Sequence, residues 1–283
     1  MLTQRELPLR RPDGLPDFTN PPLTEVVVSI QFATPPKYSE AYIREIWALF
    51  ESDFPKVQEM PAIPPTFEVF GGPELPAMRL NFGVITGSAA LRNRYWFLSA
   101  SEGELIQFQQ DRFMHNWRKV PGQKSEYPRF DTIISKYTSE LETLETYFRS
   151  KTWGPIVPNQ CELTYVNQMP LKSETGQPIP KSFYFRKLDV SLDEDVNDFA
   201  VTLRKAVTAQ DGKPIGRLFV EAATAVDSDG HPVLGLNVTV RGVPAEASRT
   251  SALEFLQSAR LLIDTTFVGF TSDAAHQKWG RTQ

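Results

Sequence analysis

Apolar and polar side chains alternate along residues 25–32, which is typical of a half-buried strand. The same alternation returns along residues 161–169, so a second strand of this kind is predicted there. Further strands are predicted at 66–70, 78–82, 94–99, 105–110, 112–119, 199–209, 214–226 and 233–243. Asp-Gly pairs at 211–212 and 229–230 are typical of hairpin turns, and they join the last three strands into a meander.

Apolar residues at helical spacing predict long helices over residues 129–150 and about 250–268. In the first of these helices, Glu140, Glu142 and Glu145 are expected on the solvated face. A shorter helix is predicted after Ser39, because serine commonly caps helix N-termini. A closing helix is predicted after Thr271 or Ser272 for the same reason.

The order of elements is strand, short helix, strands and long helix, and then again strand, strands and long helix. Runs of adjacent strands exclude a doubly wound parallel sheet and favour helices packed on antiparallel sheets. We therefore predict an α+β fold of two antiparallel sheets, each packed against a long helix, as a duplicated helix-grip-like unit would give. The predicted parts are an extended arm (1–22), an N-terminal sheet–helix half (23–155) and a C-terminal sheet–helix half (156–283).

The two halves show a limited sequence match that fits a duplication. When residues 161–169 are laid over 24–32, Glu162 falls on Glu25, Gln168 falls on Gln31, and the apolar positions coincide. The match predicts that these two strands occupy equivalent places in the fold.

The hairpin of residues 105–119 has one apolar and one unusually amide-rich face. With Asp111 and Arg112 at its tip, Gln107 would pair with Asn116. The face expected to pack under a helix carries Ile106, Phe108, His115 and Trp117. The opposite face, which we call the amide face, carries Gln107, Gln109, Asn116 and Arg118.

Three interpretations of the amide face stay open at this point: ordinary surface, a contact between the two halves, or a binding site. One face of an antiparallel sheet usually meets water, but amides with an arginine are well suited to fixed hydrogen bonds. Arginine also pairs bidentately with a carboxylate or a phosphate. Gln107, Gln109, Asn116 and Arg118 are therefore the candidate binding residues.

Composition narrows the class of protein. The formal charge of −4 makes a nucleic-acid partner improbable, because such proteins are commonly basic. The sequence has no run of about 18 apolar residues, so no membrane span is predicted. The N-terminus lacks the apolar region of a signal peptide. Cys161 is the single cysteine, and its place in an alternating strand predicts a buried thiol. We therefore expect a cytoplasmic location.

The sequence contains no phosphate-loop, dinucleotide, metalloprotease or nucleophile-elbow motif, so neither a cofactor nor a metal site is predicted. The favoured function is a non-enzymatic binding or interaction protein. Its partner would be another protein, a second copy of the chain, or a small ligand held in a cleft. The alternatives are an enzyme using scattered residues such as Glu104, His115 and Arg118, and an antitoxin-like partner that occludes another protein.

Several segments resemble an uncharacterised, sporadically distributed bacterial family of about this length. They are Gln107-x-Gln109-x-Asp111-Arg112-Phe113-x-x-Asn116-Trp117-Arg118-Lys119, then Tyr127-Pro128-Arg129-Phe130, the opening Asn20-Pro21-Pro22-Leu23-x-Glu25-Val26, and the closing His276-x-x-Trp279-Gly280. The resemblance implies a bacterial accessory protein of patchy occurrence, as genes of mobile elements, defence islands or toxin–antitoxin pairs often encode. It implies no particular activity, substrate or catalytic residue.

Overall fold

In the part of the chain that the structure describes, an antiparallel sheet of nine strands forms the framework. The structure is a computed structural model that describes residues 17–71, 93–123, 126–186 and 198–282. The strand predicted at 78–82 and the first sixteen residues of the predicted arm lie outside these ranges.

The strands are β1 (Leu23–Phe32), β2 (Lys56–Pro61), β3 (Asn93–Leu98), β4 (Glu104–Gln109), β5 (Arg112–Arg118), β6 (Pro158–Pro170), β7 (Ala200–Thr208), β8 (Pro214–Val226) and β9 (Pro232–Gly242). The α-helices are α1 (Ile43–Ala48), α2 (Phe130–Ser150), α3 (Arg249–Phe270) and α4 (Asp273–Lys278), with 3₁₀ turns at Glu40–Tyr42 and Lys181–Phe183. The two long helices and the terminal three-stranded meander are thus confirmed. Ser39 and Ser272 accept hydrogen bonds from Ala41 N and Ala275 N, so both capping predictions are also confirmed.

The strand order is β2-β3-β4-β5-β1-β6-β9-β8-β7. The first strand of each half, β1 or β6, lies at the centre and pairs with the last strand of its own half, β5 or β9. Val27 lies directly opposite Thr164 across the β1–β6 pair, and these are the residues that the sequence match makes equivalent. About the Val27–Thr164 pair, β5, β4 and β3 on one side thus correspond to β9, β8 and β7 on the other, and β2 is an additional edge strand.

The prediction of two separate sheets is wrong, because β1 and β6 pair with each other along their length and join the halves edge to edge. An unjoined β1 or β6 would leave a row of backbone N–H and C=O groups without partners at a sheet edge. Alternating polarity shows which side of a strand is buried, but it does not show which strand lies beside it. The sequence therefore predicted most of the strands, but it missed β2 and the junction of β1 with β6.

α1, α2 and α3 pack on the same face of the sheet, which we call the helix face. Strand residues of this face, including Val26, Val28 and Leu163, join α1, α2 and α3 in one core of buried side chains. Trp117 is 3% exposed and contacts the ring of Tyr127, so its predicted burial is confirmed. Cys161 is also fully buried in this core, as predicted.

The opposite face is crossed by the chain that leaves β2. Residues 66–70, predicted as a strand, do not pair in the sheet but run over this face in an extended form. Glu68 of this crossing segment (residues 62–71) forms ion pairs with Arg217 and Arg241 in the C-terminal half. The segment thereby ties the two halves together on the side of the sheet away from the helices.

The described end of the predicted arm is fixed to the C-terminus of the chain. Thr19 N and Asn20 N donate to the carbonyl oxygens of Gly280 and Trp279 at 3.1 and 3.0 Å. Gly280 has a φ of +68°, and an added Cβ would lie 2.0 Å from Thr19 Oγ1, so glycine is required there. Phe18 packs its ring on Phe267 of α3. The arm thus becomes a wall on the helix face.

The helices in the described part of the chain are all too short or too polar to cross a membrane.

Candidate functional site

The β4–β5 hairpin turns at Gln110 and Asp111, so the predicted tip was wrong by one residue and the pairing by two. Gln107 lies opposite Met114, and Leu105 lies opposite Asn116. Phe108 therefore faces Phe113 rather than His115. A shift of two residues keeps each side chain on its side of the sheet, so the two predicted faces hold.

The three amides of the amide face, Gln107, Gln109 and Asn116, are buried, and its first cluster is a chain of hydrogen bonds. Oε1 of Gln107 accepts from Arg94 at 2.6 Å and from Trp96 Nε1 at 2.9 Å, while its Nε2 donates to Asn116 Oδ1 at 2.8 Å. Asn116 Nδ2 donates in turn to Glu25 Oε1 at 2.6 Å. These amides thus join four neighbouring strands, from β3 to β1.

Gln109 belongs to a second cluster, which holds the crossing segment. Its side chain accepts from Ile63 N at 2.8 Å and donates to Ile63 O at 2.9 Å, as a neighbouring strand would. Beside it, Arg112 donates to Gln31 Oε1 at 2.8 Å, and Gln31 Oε1 also accepts from Thr66 N at 3.0 Å. This part of the amide face therefore binds the crossing segment of the protein's own chain.

Arg118 is set apart from the other three candidate residues. Its Nε donates to Glu102 O at 2.8 Å, and its guanidinium lies 5.7 Å from the ring centre of Trp96. Its side chain is 27% exposed and lines a wide groove with Glu25 and Lys119. Arg118 is thus the candidate residue that an outside partner could reach; whether it binds one stays a prediction.

The three residues of the enzyme alternative are not brought together. His115 and Glu104 are on the helix face, where they bind Glu140 and Lys136 of α2, whereas Arg118 is on the opposite face. Burial raises the pKa of the Cys161 thiol to about 12, which keeps it protonated and unreactive at neutral pH.

Asp227, Asp229 and His231 at the β8–β9 turn place their potential metal-binding atoms within 4.8 Å of one another. Asp227 Oδ1 already accepts from the backbone N–H groups of Asp229 and His231 at 2.9 and 2.8 Å. Asp229 and His231 are exposed. The hydrogen bonds are those of an ordinary aspartate-stabilised turn, which agrees with the loop role expected for His231.

A cleft of about 360 Å³ opens on the helix face, between the arm, the starts of β1 and α2, and the last turns of α3. We call it the arm cleft. Phe18, Leu23, Phe130, Ile263, Phe267 and Val268 supply most of its apolar lining, and its polar groups come from Tyr127, Tyr165, Asn167, Arg129, Asp131, Arg260, Asp264 and Asp17. This volume lies within the range of small-molecule sites, and so does the mixture of apolar walls with a few polar groups.

Two phenols meet at the buried side of the arm cleft. The hydroxyl oxygens of Tyr127 and Tyr165 lie 3.1 Å apart, and Tyr165 projects from β6 beside Val26. Burial raises the pKa of Tyr127 to about 12 and that of Tyr165 well above its ordinary value. Both phenols therefore stay protonated at neutral pH and act as neutral hydrogen-bonding groups.

At the mouth of the cleft, α2 begins with an unusual backbone. Arg129, its N-cap residue, has a φ of 72° and makes no side-chain capping hydrogen bond. A non-glycine residue in this region costs on the order of 1–3 kcal/mol, and such strain is concentrated at functional sites. The strained residue places the first turn of α2 against the cleft.

Sequence reasoning missed the arm cleft, although it had singled out the segments that form it. Pro21 and Leu23 belong to the opening segment of the family resemblance, and Tyr127, Arg129 and Phe130 belong to its Tyr-Pro-Arg-Phe segment. The closing His276-x-x-Trp279-Gly280 segment fixes the arm that forms one wall. These segments are far apart in sequence, so only the tertiary structure shows that they meet at one cleft.

Comparison with known proteins gives no match to this chain among family models, curated proteins or solved structures. The functional argument therefore rests on the geometry of the site. The resemblance to the bacterial family stays a prediction.

Proposed function

We propose that this protein is a non-enzymatic binding protein that holds a small ligand in the arm cleft. The observation that supports this most strongly is a cleft of about 360 Å³ with aromatic and aliphatic walls and a hydrogen-bonded pair of phenols. A cleft of this kind favours an apolar body by desolvation and orients it through a few hydrogen bonds.

The polar groups of the arm cleft are suited to holding a ligand. Protonated phenols act as hydrogen-bonding groups, and Arg260 Nε lies 2.8 Å from Asp264 Oδ2 in an ion pair. A cytoplasmic location and a bacterial accessory role belong to this proposal as its biological setting. A protein partner or a second copy of the chain would bind at the groove beside Arg118 rather than in the arm cleft.

The test is titration with N-phenyl-1-naphthylamine, an uncharged dye whose fluorescence rises in apolar sites. Val268 lines the cleft and is only partly buried, so Val268→Trp adds bulk to the cleft without repacking the core. Gln257→Trp is the matched control, because it adds the same side chain to an exposed position of α3. We expect Val268→Trp to weaken dye binding at least about tenfold and Gln257→Trp to leave it unchanged.

Equal dye binding by the wild-type protein and Val268→Trp would reject the arm cleft as the site. Absence of dye binding by the wild-type protein would reject it as well.

A further inference from the structure

The hydrogen-bonding groups at the inner side of the arm cleft form a neutral set of donors and acceptors. The hydroxyl oxygens of Tyr127 and Tyr165 lie 3.1 Å apart, so one hydroxyl donates its hydrogen to the other. The second phenol hydrogen has no acceptor among the described residues. Because both tyrosines line the cleft, this hydrogen is a donor available to a ligand.

Asn167 supplies the complementary acceptor. Its Nδ2 donates to Leu236 O at 3.0 Å, and a backbone carbonyl can only accept, so the orientation of this amide is fixed. Its Oδ1 has no hydrogen-bond donor among the described residues, and the residue lines the cleft. Asn167 and Tyr165 are two residues apart on β6 and point to the same face, so their Cα atoms are about 7 Å apart.

The charged side chains that line the cleft are three carboxylates, Asp17, Asp131 and Asp264, and two guanidiniums, Arg129 and Arg260, so the lining is acidic on balance. Asp131 lies in the first turn of α2, so a carboxylate of the protein already complements the positive end of that helix. Arg260 is paired with Asp264 at 2.8 Å, and its guanidinium lies 5.9 Å from the ring centre of Phe130. A second negative charge placed here would meet the carboxylates of Asp131 and Asp264.

We propose that the arm cleft takes an uncharged ligand with a flat apolar body and an amide-type edge, whose carbonyl accepts from the tyrosine pair and whose N–H donates to Asn167. Primary amides, lactams and related heterocycles have this edge. The rings of Phe18, Phe130 and Phe267 provide the apolar walls for the flat body. The inference rests on the proposed function, because it assigns a chemical class to the ligand of the same cleft.

The experiment compares three probes that share one apolar body: 2-naphthamide, methyl 2-naphthoate and 2-naphthoate. They carry an amide, an acceptor without a donor, and an anion. Affinities are measured by isothermal titration calorimetry with the wild-type protein. We expect 2-naphthamide to bind tightest and 2-naphthoate to bind at least about tenfold more weakly, because the anion would lose its hydration in a cleft whose lining carries the carboxylates of Asp17, Asp131 and Asp264.

Variants at the two polar positions test the assigned hydrogen bonds. Tyr165→Phe and Asn167→Ala should each weaken 2-naphthamide binding about fivefold, as expected for one neutral hydrogen bond. Tyr137→Phe is the matched control, since this buried phenol donates to Phe113 O and does not line the cleft. Asn167→Ala should leave the affinity for methyl 2-naphthoate unchanged, because the ester has no N–H to donate.

Both phenol pKa values are raised, so the affinity for 2-naphthamide should be constant between about pH 6 and pH 8. Tighter binding of 2-naphthoate than of 2-naphthamide would overturn the ligand class, and so would an affinity unaffected by Tyr165→Phe or no binding of any of the three probes. The dye titration with Val268→Trp tests separately whether the arm cleft binds a ligand at all. A protein that passes the dye test but shows one of these results would reject the ligand class and keep the arm cleft as the binding site.

Discussion

Nδ1 of His115 lies 2.9 and 3.1 Å from the two carboxylate oxygens of Glu140, which joins the centre of β5 to the middle of α2. The helical pattern predicted Glu140 on the solvated face, and this was wrong: its side chain is only 12% exposed. His115 itself is fully buried. A buried imidazole needs a partner, and the nearest turn of the helix supplies one.

Loss of this partner should destabilise the fold. Glu140→Ala leaves the Nδ1 of a buried histidine without a hydrogen bond, so the free energy of unfolding should fall by about 1–3 kcal/mol in urea denaturation. Glu142→Ala is the control on the same helix, because Glu142 is 60% exposed and its change should stay within about 0.5 kcal/mol. Equal effects of the two substitutions would show that the His115–Glu140 contact contributes nothing specific.

Gln107 should be the most sensitive position of the amide face. Gln107→Ala removes the acceptor of Arg94 and Trp96 and the donor to Asn116, so we expect a loss of about 2–3 kcal/mol in the free energy of unfolding. Gln58→Ala is the matched control on the same face, at an exposed position of edge strand β2. If Gln107→Ala had the same free energy of unfolding as the wild type, water would replace these hydrogen bonds at no cost, which would contradict the prediction.

Arg118→Ala distinguishes a structural role of the amide face from a binding role. Arg118 is partly exposed and donates to one carbonyl, so its loss should lower the free energy of unfolding by no more than about 1 kcal/mol. Dye binding in the arm cleft should be unchanged, since Arg118 is on the opposite face of the sheet. Loss of dye binding in a stable Arg118→Ala protein would place the ligand site at the amide face instead.

Cys161 should resist thiol reagents in the folded protein. Its side chain is fully buried, and burial raises its pKa to about 12. We expect labelling with 5,5′-dithiobis(2-nitrobenzoate) to become rapid only in urea. Complete labelling of the folded protein within minutes would contradict the burial of the thiol.

Alkaline pH should destabilise the protein, and the sign follows from the same raised pKa. A group that is harder to deprotonate in the folded state contributes stability that is complete below its unfolded pKa of about 9. That contribution is lost as the pH rises toward about 12, and the phenols of Tyr127 and Tyr165 act in the same direction. The free energy of unfolding, measured in urea from pH 8 to pH 11, should therefore decrease; a constant or rising value would contradict this linkage.

Local patterns in the chain were sufficient for the long helices, for most of the strands and for the direction in which side chains point, but they did not predict β2, and the strand predicted at 66–70 is absent. The alternation in β1 and β6, the stripes of α2 and α3, and the caps at Ser39 and Ser272 depend on residues close in sequence, and the structure has them. The two faces of the β4–β5 hairpin also followed from alternation, although the turn itself was misplaced. Such features are local, since a side chain's orientation in a strand or helix repeats with a fixed period.

The arrangement of these elements depended on contacts between distant parts of the chain. The joining of β1 to β6, the seating of the crossing segment on Gln109, and the contact of Glu140 with His115 link residues whose neighbours in sequence give no sign of each other. The arm cleft needs Leu23, Tyr165 and Phe267 in one place, from three parts of the chain. Only the tertiary structure decides such convergence. The backbone groups of a strand edge can pair with many strands, and a polar side chain can bond to many partners, so the local sequence does not specify which one it meets.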